Sequence, residues 1–241
     1  HLNIEGNIYN EEFSAFQATL QGPGIPSEKM LEAKAEEFIR QHNNSFVSIY
    51  LLDKYFVQKE TPDFKKIKEL IDVMAGVLQD KPSIGQLTEN ITQIEKVNEG
   101  KTAPFFSLPN QKGEKVTRLD KFKDKYMLIN FWASWCEECD STNVELRKIN
   151  NKYKKNKEFG ILGISFDINK EDWKNKIKQD TLTWEQVCTF TGWNLETAKQ
   201  YAILKLPTNI FVSPGGRILA RDIPTDSLSH EIEKALKKEK K

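Results

Sequence analysis

Cysteine is scarce in this chain: its 241 residues include three, alongside three histidines. Three cysteines are too few to staple a small secreted scaffold. A zinc site needs about four ligands. Cys188, His1, His42 and His230 do not stand at metal-ligating spacing, so no metal and no cofactor is implied. An excess of one charge is also missing. Lys and Arg total 36 against 35 for Asp and Glu, a formal net charge of +1. That balance gives no reason to expect nucleic acid or an acidic membrane surface as partner. The longest apolar runs, around Phe46–Leu52 and Met127–Trp135, fall well short of the roughly 18 residues that mark a spanning helix. No signal peptide is visible. The chain begins at His1 rather than Met, as expected of a processed or trimmed form whose export signal went with the missing part.

What is present fits two modest domains, and the pattern changes near Gly100. Before it, every strong periodic signal is helical. Ser27 can cap a helix running to about Gln41, with Leu31, Ala35 and Phe38 on one face. Ser45 starts a second segment, residues 46–57, apolar nearly all round and so expected at the centre of the packing. Thr61-Pro62 reads as a cap with proline at the first helical position. Ile67, Leu70, Ile71, Met74, Val77 and Leu78 then form one face of a third helix. Ser83-x-x-Gln86 resembles a capping box, with Ile84, Leu87, Ile91 and Ile94 at helical spacing behind it and Gly100 as terminator. The first 26 residues show no pattern and are expected to be the stump of a longer segment.

After residue 100 strands and helices alternate. Short extended segments at Phe105–Leu108 and near Val116 precede Met127–Trp132, a continuous apolar run that fits a buried strand. A helix is expected from about Cys136 to Lys154, a second buried strand over Phe159–Asp167, and short helices over Asp172–Gln179 and Leu195–Tyr201. Asn209–Val212 and Arg217–Ala220 flank the hairpin signal Ser213-Pro214-Gly215-Gly216, and a last helix starts near Ser227. Its closing lysines 237, 238, 240 and 241 complement the helix dipole. Alternating elements predict an α/β fold with a mixed sheet flanked by helices.

Cys136-Glu137-Glu138-Cys139 carries the chemistry. A C-x-x-C between a strand and a helix is a specific signal for thiol–disulfide exchange. The first sulfur sits over unpaired backbone N–H groups at the positive end of the helix dipole, which favours thiolate, the nucleophilic form. The second cysteine lies one turn on, close enough to close a disulfide and to resolve a mixed disulfide on Cys136. A permanent disulfide or half of a metal site is the bland alternative.

Phe131-Trp132-Ala133-Ser134-Trp135-Cys136-Glu137-Glu138-Cys139 resembles the active-site segment of thioredoxin-like proteins. Ala103-Pro104-Phe105-Phe106-Ser107-Leu108, Leu119-Asp120-Lys121-Phe122, Gly163-Ile164-Ser165-Phe166-Asp167 with Trp173, and Leu206-Pro207-Thr208 are similar to segments of the TlpA/ResA-like branch, which is related to the AhpC/TSA proteins. The resemblance covers residues 101–241. It implies a thioredoxin-like domain there, preceded by a mainly helical N-terminal domain over 1–100. It implies a thiol–disulfide oxidoreductase in the cell envelope, periplasmic or otherwise extracytoplasmic, anchored through a missing N-terminus and acting as a reductase of protein disulfides. Protein thiols and an upstream electron donor are the implied partners, with a homodimer through the N-terminal helices as a further expectation. The resemblance also places a cis Leu206–Pro207 bond beside the sulfurs, with the Leu206 backbone presented to a substrate chain, and Trp135 as a substrate contact. A thiol peroxidase and a non-catalytic binding module are the competing readings. Ala133 stands where peroxidases have Thr, three residues before the reactive cysteine, and intact Cys136, Cys139 and Pro207 argue against a vestigial site.

The chain departs from that branch at three places. Asn130 replaces a buried acid, and Thr142 and Val144 replace a Glu and a Pro after the second cysteine. Glu137, Glu138, Glu145 or water then remain to accept the Cys139 proton. Glu137 and Glu138 are expected to tune the site by opposing a Cys136 thiolate, placing the potential in the reducing range, roughly −250 mV or lower. Cys188 is expected to be a small buried apolar residue. Trp132, Trp184 and Trp193 suit the core as well as they suit the site.

Overall fold

The computed structural model describes residues 8–21, 25–59 and 62–238. Internal contacts divide the chain into two compact units, residues 1–92 and 93–241. Among the described residues no helix is long and apolar enough to cross a membrane.

The first unit is helical: α1 (Ile8–Ala18), α2 (Glu28–Gln41), α3 (Phe46–Leu52), α4 (Phe64–Asp72), α5 (Gly76–Gln79) and α6 (Pro82–Lys96), within which the division falls. Side-chain caps set three starts. Ser27 accepts from the Met30 N–H at 3.3 Å, Ser45 from Val47 at 3.1 Å and Asp63 from Lys66 at 3.0 Å, each satisfying an N–H with no partner inside its helix. The core joins Phe16 of α1, Phe38 and Ile39 of α2, Leu51 and Leu52 of α3, and Ile67 and Leu70 of α4. Burying each such side chain contributes about 1.5–3 kcal/mol.

Four local expectations fail here. The patternless opening contains α1. Phe16 faces inward while Phe13 is only partly buried, too few apolar positions for a periodic signal. Residues 46–57 are not one uniformly buried helix. Phe46 and Tyr50 are exposed, and from Asp53 to Val57 the coil widens into a π-helical turn that carries Phe56 into the core. The third helix breaks after Asp72, and Val77 in α5 is 60% exposed. Thr61 lies outside the described residues. The α4 cap is Asp63, and α6 starts at Pro82, so Ser83 is inside its first turn and Gln86 bonds forward to Asn90 at 3.0 Å.

The second unit holds a small antiparallel pair, β1 (Leu108–Pro109) with β2 (Lys115–Val116), and a five-stranded mixed sheet. The sheet strands are β3 (Tyr126–Trp132), β4 (Phe159–Ser165), β5 (Glu185–Cys188), β6 (Thr208–Val212) and β7 (Ile218–Arg221), in the order β5-β4-β3-β6-β7. Strands β3, β4 and β5 run parallel, and β6 and β7 are antiparallel additions. Helices α7 (Arg118–Lys121), α8 (Glu138–Tyr153), α9 (Lys170–Gln179), α10 (Glu196–Gln200) and α11 (Leu228–Lys238) complete the unit. All seven residues of β3 are buried, as a parallel strand covered on both faces requires. Strand β5 had no sequence signal of its own, because Glu185 and Gln186 interrupt its apolar run.

Candidate active site

The turn between β3 and α8 carries the two cysteines. The Cys136 N–H donates to Ala133 O at 3.2 Å, and the Cys139 N–H lies 3.2 Å from both Cys136 O and Cys136 Sγ. Cys136 and Cys139 form a disulfide. Cys136 is 4% exposed and Cys139 is fully enclosed, so the first cysteine is the nearer of the two to solvent. The first sulfur receives an N–H at the start of a 16-residue helix, where the dipole favours negative charge.

Carboxylates surround that helix start. Glu137 occupies the cap position without a side-chain bond to the helix, and Glu137 and Glu138 are both exposed. Asp140 pairs with Lys176 Nζ at 2.6 Å, and Lys176 also reaches Asp180 at 3.3 Å. Burial alone would lower the Lys176 ammonium, but its bonds to Asp140 and Asp180 outweigh that and hold it above its ordinary value. Asn130 and Thr142 are buried and supply no carboxylate. Among the described residues Asn130 Oδ1 has no hydrogen-bond partner, and Thr142 Oγ1 lies 3.2 Å from Thr225 Oγ1.

Trp135 is 54% exposed beside Cys136. The Leu206–Pro207 peptide bond is cis. The antiparallel pairing Phe131↔Thr208 sets the start of β6 alongside the end of β3, which brings Pro207 to the same end of the sheet as the cysteine turn. Arg221 secures the chain leading into that bond. Its Nη1 donates to Tyr201 O at 2.6 Å and its Nη2 to Ala202 O at 2.7 Å. Burial lowers the Arg221 guanidinium from its ordinary value, and Asp222 at 3.1 Å opposes the shift. The Tyr201 hydroxyl, pushed up by burial, donates to Pro104 O at 2.7 Å.

A second polar cluster lies on the other side of β3. Asp167, 1% exposed, accepts from the Ser134 N–H at 3.2 Å, from the Ser134 hydroxyl, and from Ser165 Oγ at 2.6 Å. Cys188 is buried against it, with its Sγ 3.5 Å from Asp167 O and 3.3 Å from the Phe190 N–H.

Residues 100–221 match the model of the AhpC/TSA family, half of the chain. The chain belongs to the AhpC/TSA family. Within it the chain is similar to the thiol–disulfide oxidoreductase ResA of Bacillus thuringiensis subsp. konkukian, 32% identical over 149 residues, 61% of this chain and 82% of that protein. Among solved structures, a thiol–disulfide oxidoreductase of Bacteroides fragilis is 57% identical, with a TM-score of 0.55 over 56% of this chain and 99% of that one. The thioredoxin domain of a thiol–disulfide oxidoreductase from Bacteroides vulgatus is 35% identical, with a TM-score of 0.52 over 56% of this chain and 96% of that one. This AhpC/TSA protein is therefore a TlpA/ResA-like thiol–disulfide oxidoreductase with a thioredoxin-like domain and preceding helices.

The structure gathers Trp135, Cys136, Glu137, Glu138 and Cys139 in one turn and brings Leu206 and Pro207 to the same end of the sheet. Trp132 and Trp184 are buried, whereas Trp193 is 48% exposed with its ring 4.7 Å from Phe166. Sequence reasoning missed the Ser134–Asp167 contact and Arg221. Asp167 stood in a motif already singled out, and an acid closing an apolar strand was the available signal. Arg221 had none.

Proposed function

We propose that this chain is an extracytoplasmic reductase of protein disulfides, with Cys136 as the attacking thiol and Cys139 as the resolving thiol. The difference in burial carries the proposal: Cys136 keeps 4% exposure beside exposed Trp135, and Cys139 keeps none. An upstream dithiol donor supplies two electrons and opens the Cys136–Cys139 bond. The Cys136 thiolate then attacks the substrate disulfide. A Cys136–substrate bond forms, and the displaced substrate thiolate takes a proton from water. Cys139 gives up its proton and attacks Cys136 Sγ, which re-forms the Cys136–Cys139 disulfide and releases the second substrate thiol. With Asn130 and Thr142 uncharged, water is the acceptor assigned to that proton.

Trp135 and the Leu206–Pro207 segment are assigned to the substrate chain, and Glu137 and Glu138 to setting the potential. The location outside the cytoplasm rests on the resemblance to TlpA/ResA-like proteins. The helical residues 1–100 are assigned as a domain that docks substrate or a second copy of the chain. The peroxidase reading is set aside because Ala133 offers no hydroxyl.

Trapping tests the assignment. Cys139→Ser is expected to accumulate a mixed disulfide on Cys136 with a disulfide-bonded protein, released by dithiothreitol, and Cys136→Ser is expected to trap nothing. Equal trapping by both variants would overturn the roles given to the two sulfurs.

A further inference from the structure

Asp167 lies two residues past the end of β4 and is 1% exposed. Its carboxylate takes up every hydrogen bond that Ser134 can donate. The Ser134 N–H lies 3.2 Å from both oxygens, and the Ser134 hydroxyl donates to Oδ1. Ser165 Oγ accepts from the Asp167 N–H at 2.9 Å and donates to Oδ2 at 2.6 Å. Among the described residues its partners are two serines, and no Lys, Arg or His pairs with it. A buried carboxylate without a cation is costly to hold, yet this one is hydrogen-bonded to Ser134, two residues ahead of Cys136 in the cysteine turn.

We infer that Asp167 is a positioning residue of the redox site, anchoring the turn through Ser134 and setting a buried negative charge behind Cys136 that biases the couple toward the disulfide. The inference deepens the reductase reading and rests on it. The carboxylate is 3.2 Å from Ser134 N, and two further residues span at most about 3.6 Å each, so it lies within about 10 Å of the Cys136 backbone. Two charges about 10 Å apart at an effective dielectric of about 20 shift an equilibrium by about tenfold. Within the motif and the first turn of α8, Glu137 and Glu138 are exposed, and Asp140 is paired with Lys176 at 2.6 Å. A thiolate at Cys136 is therefore disfavoured from behind as well as from its own motif, and a disfavoured thiolate means a weaker oxidant.

The test equilibrates the full chain in graded oxidised and reduced dithiothreitol and counts free thiols by an alkylation gel shift. Asp167→Asn keeps the shape and removes the charge. At a pH where reduced Cys136 is ionised, it is expected to raise the equilibrium constant for reduction about tenfold, which is about 30 mV for this two-electron couple. Asp167→Ala is a second neutral variant with the same expected sign, for use if the amide does not fold. Ser134→Ala keeps the charge and is expected to stay within twofold of wild type. If both neutral variants keep the wild-type constant within twofold while losing stability, Asp167 is a structural anchor and the inference fails. An equal rise in Ser134→Ala also overturns it, because a hydrogen bond and not the charge would then be the cause. Insulin reduction by the wild-type protein is measured in parallel. Its absence would sink the reductase reading while leaving the shift in the constant readable.

Discussion

Trp132 on β3 donates its indole N–H to Gln186 Oε1 on β5 at 3.1 Å, reaching over the strand that separates them. The bond crosses Gly163 of β4, which pairs with Gln186 on one side and Asn130 on the other. A Cβ on Gly163 would fall 1.9 Å from Gln186 Oε1. Gln186 is 1% exposed, so its amide has little room to retreat.

Gly163→Ala is therefore expected to destabilise the second unit by about 1–3 kcal/mol through overpacking, with a further loss for the unpaired Trp132 N–H. Urea unfolding measures it. In a Gln186→Ala background the same substitution is expected to cost clearly less. Additive costs would show that the crowding lies elsewhere.

Glu137 and Glu138 are proposed above to set the potential. Both are exposed and neither is bound to the helix start, so their charges face a Cys136 thiolate without a local partner. Replacing both with Gln is expected to raise the reduction potential from a reducing value of roughly −250 mV or lower. A wild-type potential near the −120 mV of a dedicated oxidant would reverse the direction assigned to the reaction.

Alkali is expected to weaken the fold. Burial raises the Cys188 thiol above its ordinary value of 9.0, and burial raises the Tyr201 hydroxyl above 10.0 against the pull of Arg118. Each group keeps its proton longer in the folded chain than in the unfolded one. Their contribution is complete below the unfolded values and is lost as pH rises from about 9 toward the raised folded values. Chemical denaturation between pH 8 and pH 11 reads this, and Tyr201→Phe is expected to flatten the decline. Cys188→Ser is expected to leave disulfide reduction nearly intact, and a loss equal to that of Cys136→Ser would make Cys188 a redox partner.

Deleting residues 1–100 tests the helical unit. The core over Phe16 to Ile91 is its own, so the 101–241 fragment is expected to fold, to reduce insulin at close to the full-chain rate, and to act more weakly on the trapped natural partner. A fragment that fails to fold would show that the two halves share a core.

The legible parts of this molecule were those where one local rule acts alone. The run from Tyr126 to Trp132 is buried on both faces, so its continuous apolar character marked a central strand directly. Cys136 and Cys139 were legible because three-residue spacing at a helix start has a fixed geometry. Strand β5 was hidden because Gln186 is polar for the sake of one indole two strands away. Helix α1 was hidden because its burial comes from tertiary contacts, with Phe16 lying 5.7 Å from the Phe38 ring. Arg221 carried no signal because nothing local foretells that its guanidinium bonds the carbonyls of Tyr201 and Ala202.

The pairing of Phe131 with Thr208 has one more consequence. The cysteine turn and Pro207 are separated by some seventy residues of chain, and the β3–β6 register brings them to one end of the sheet. A strand that slipped by one residue would turn its side chains to the opposite face and carry the proline out of alignment, while both cysteines stayed where they are in the sequence. Such a chain could still close its own disulfide by proximity, but the proline proposed to meet the substrate chain would no longer stand beside it. On the proposed roles, catalytic competence and correct strand registration are acquired together, which makes turnover of a protein disulfide a stricter proofreader of this fold than thiol oxidation state.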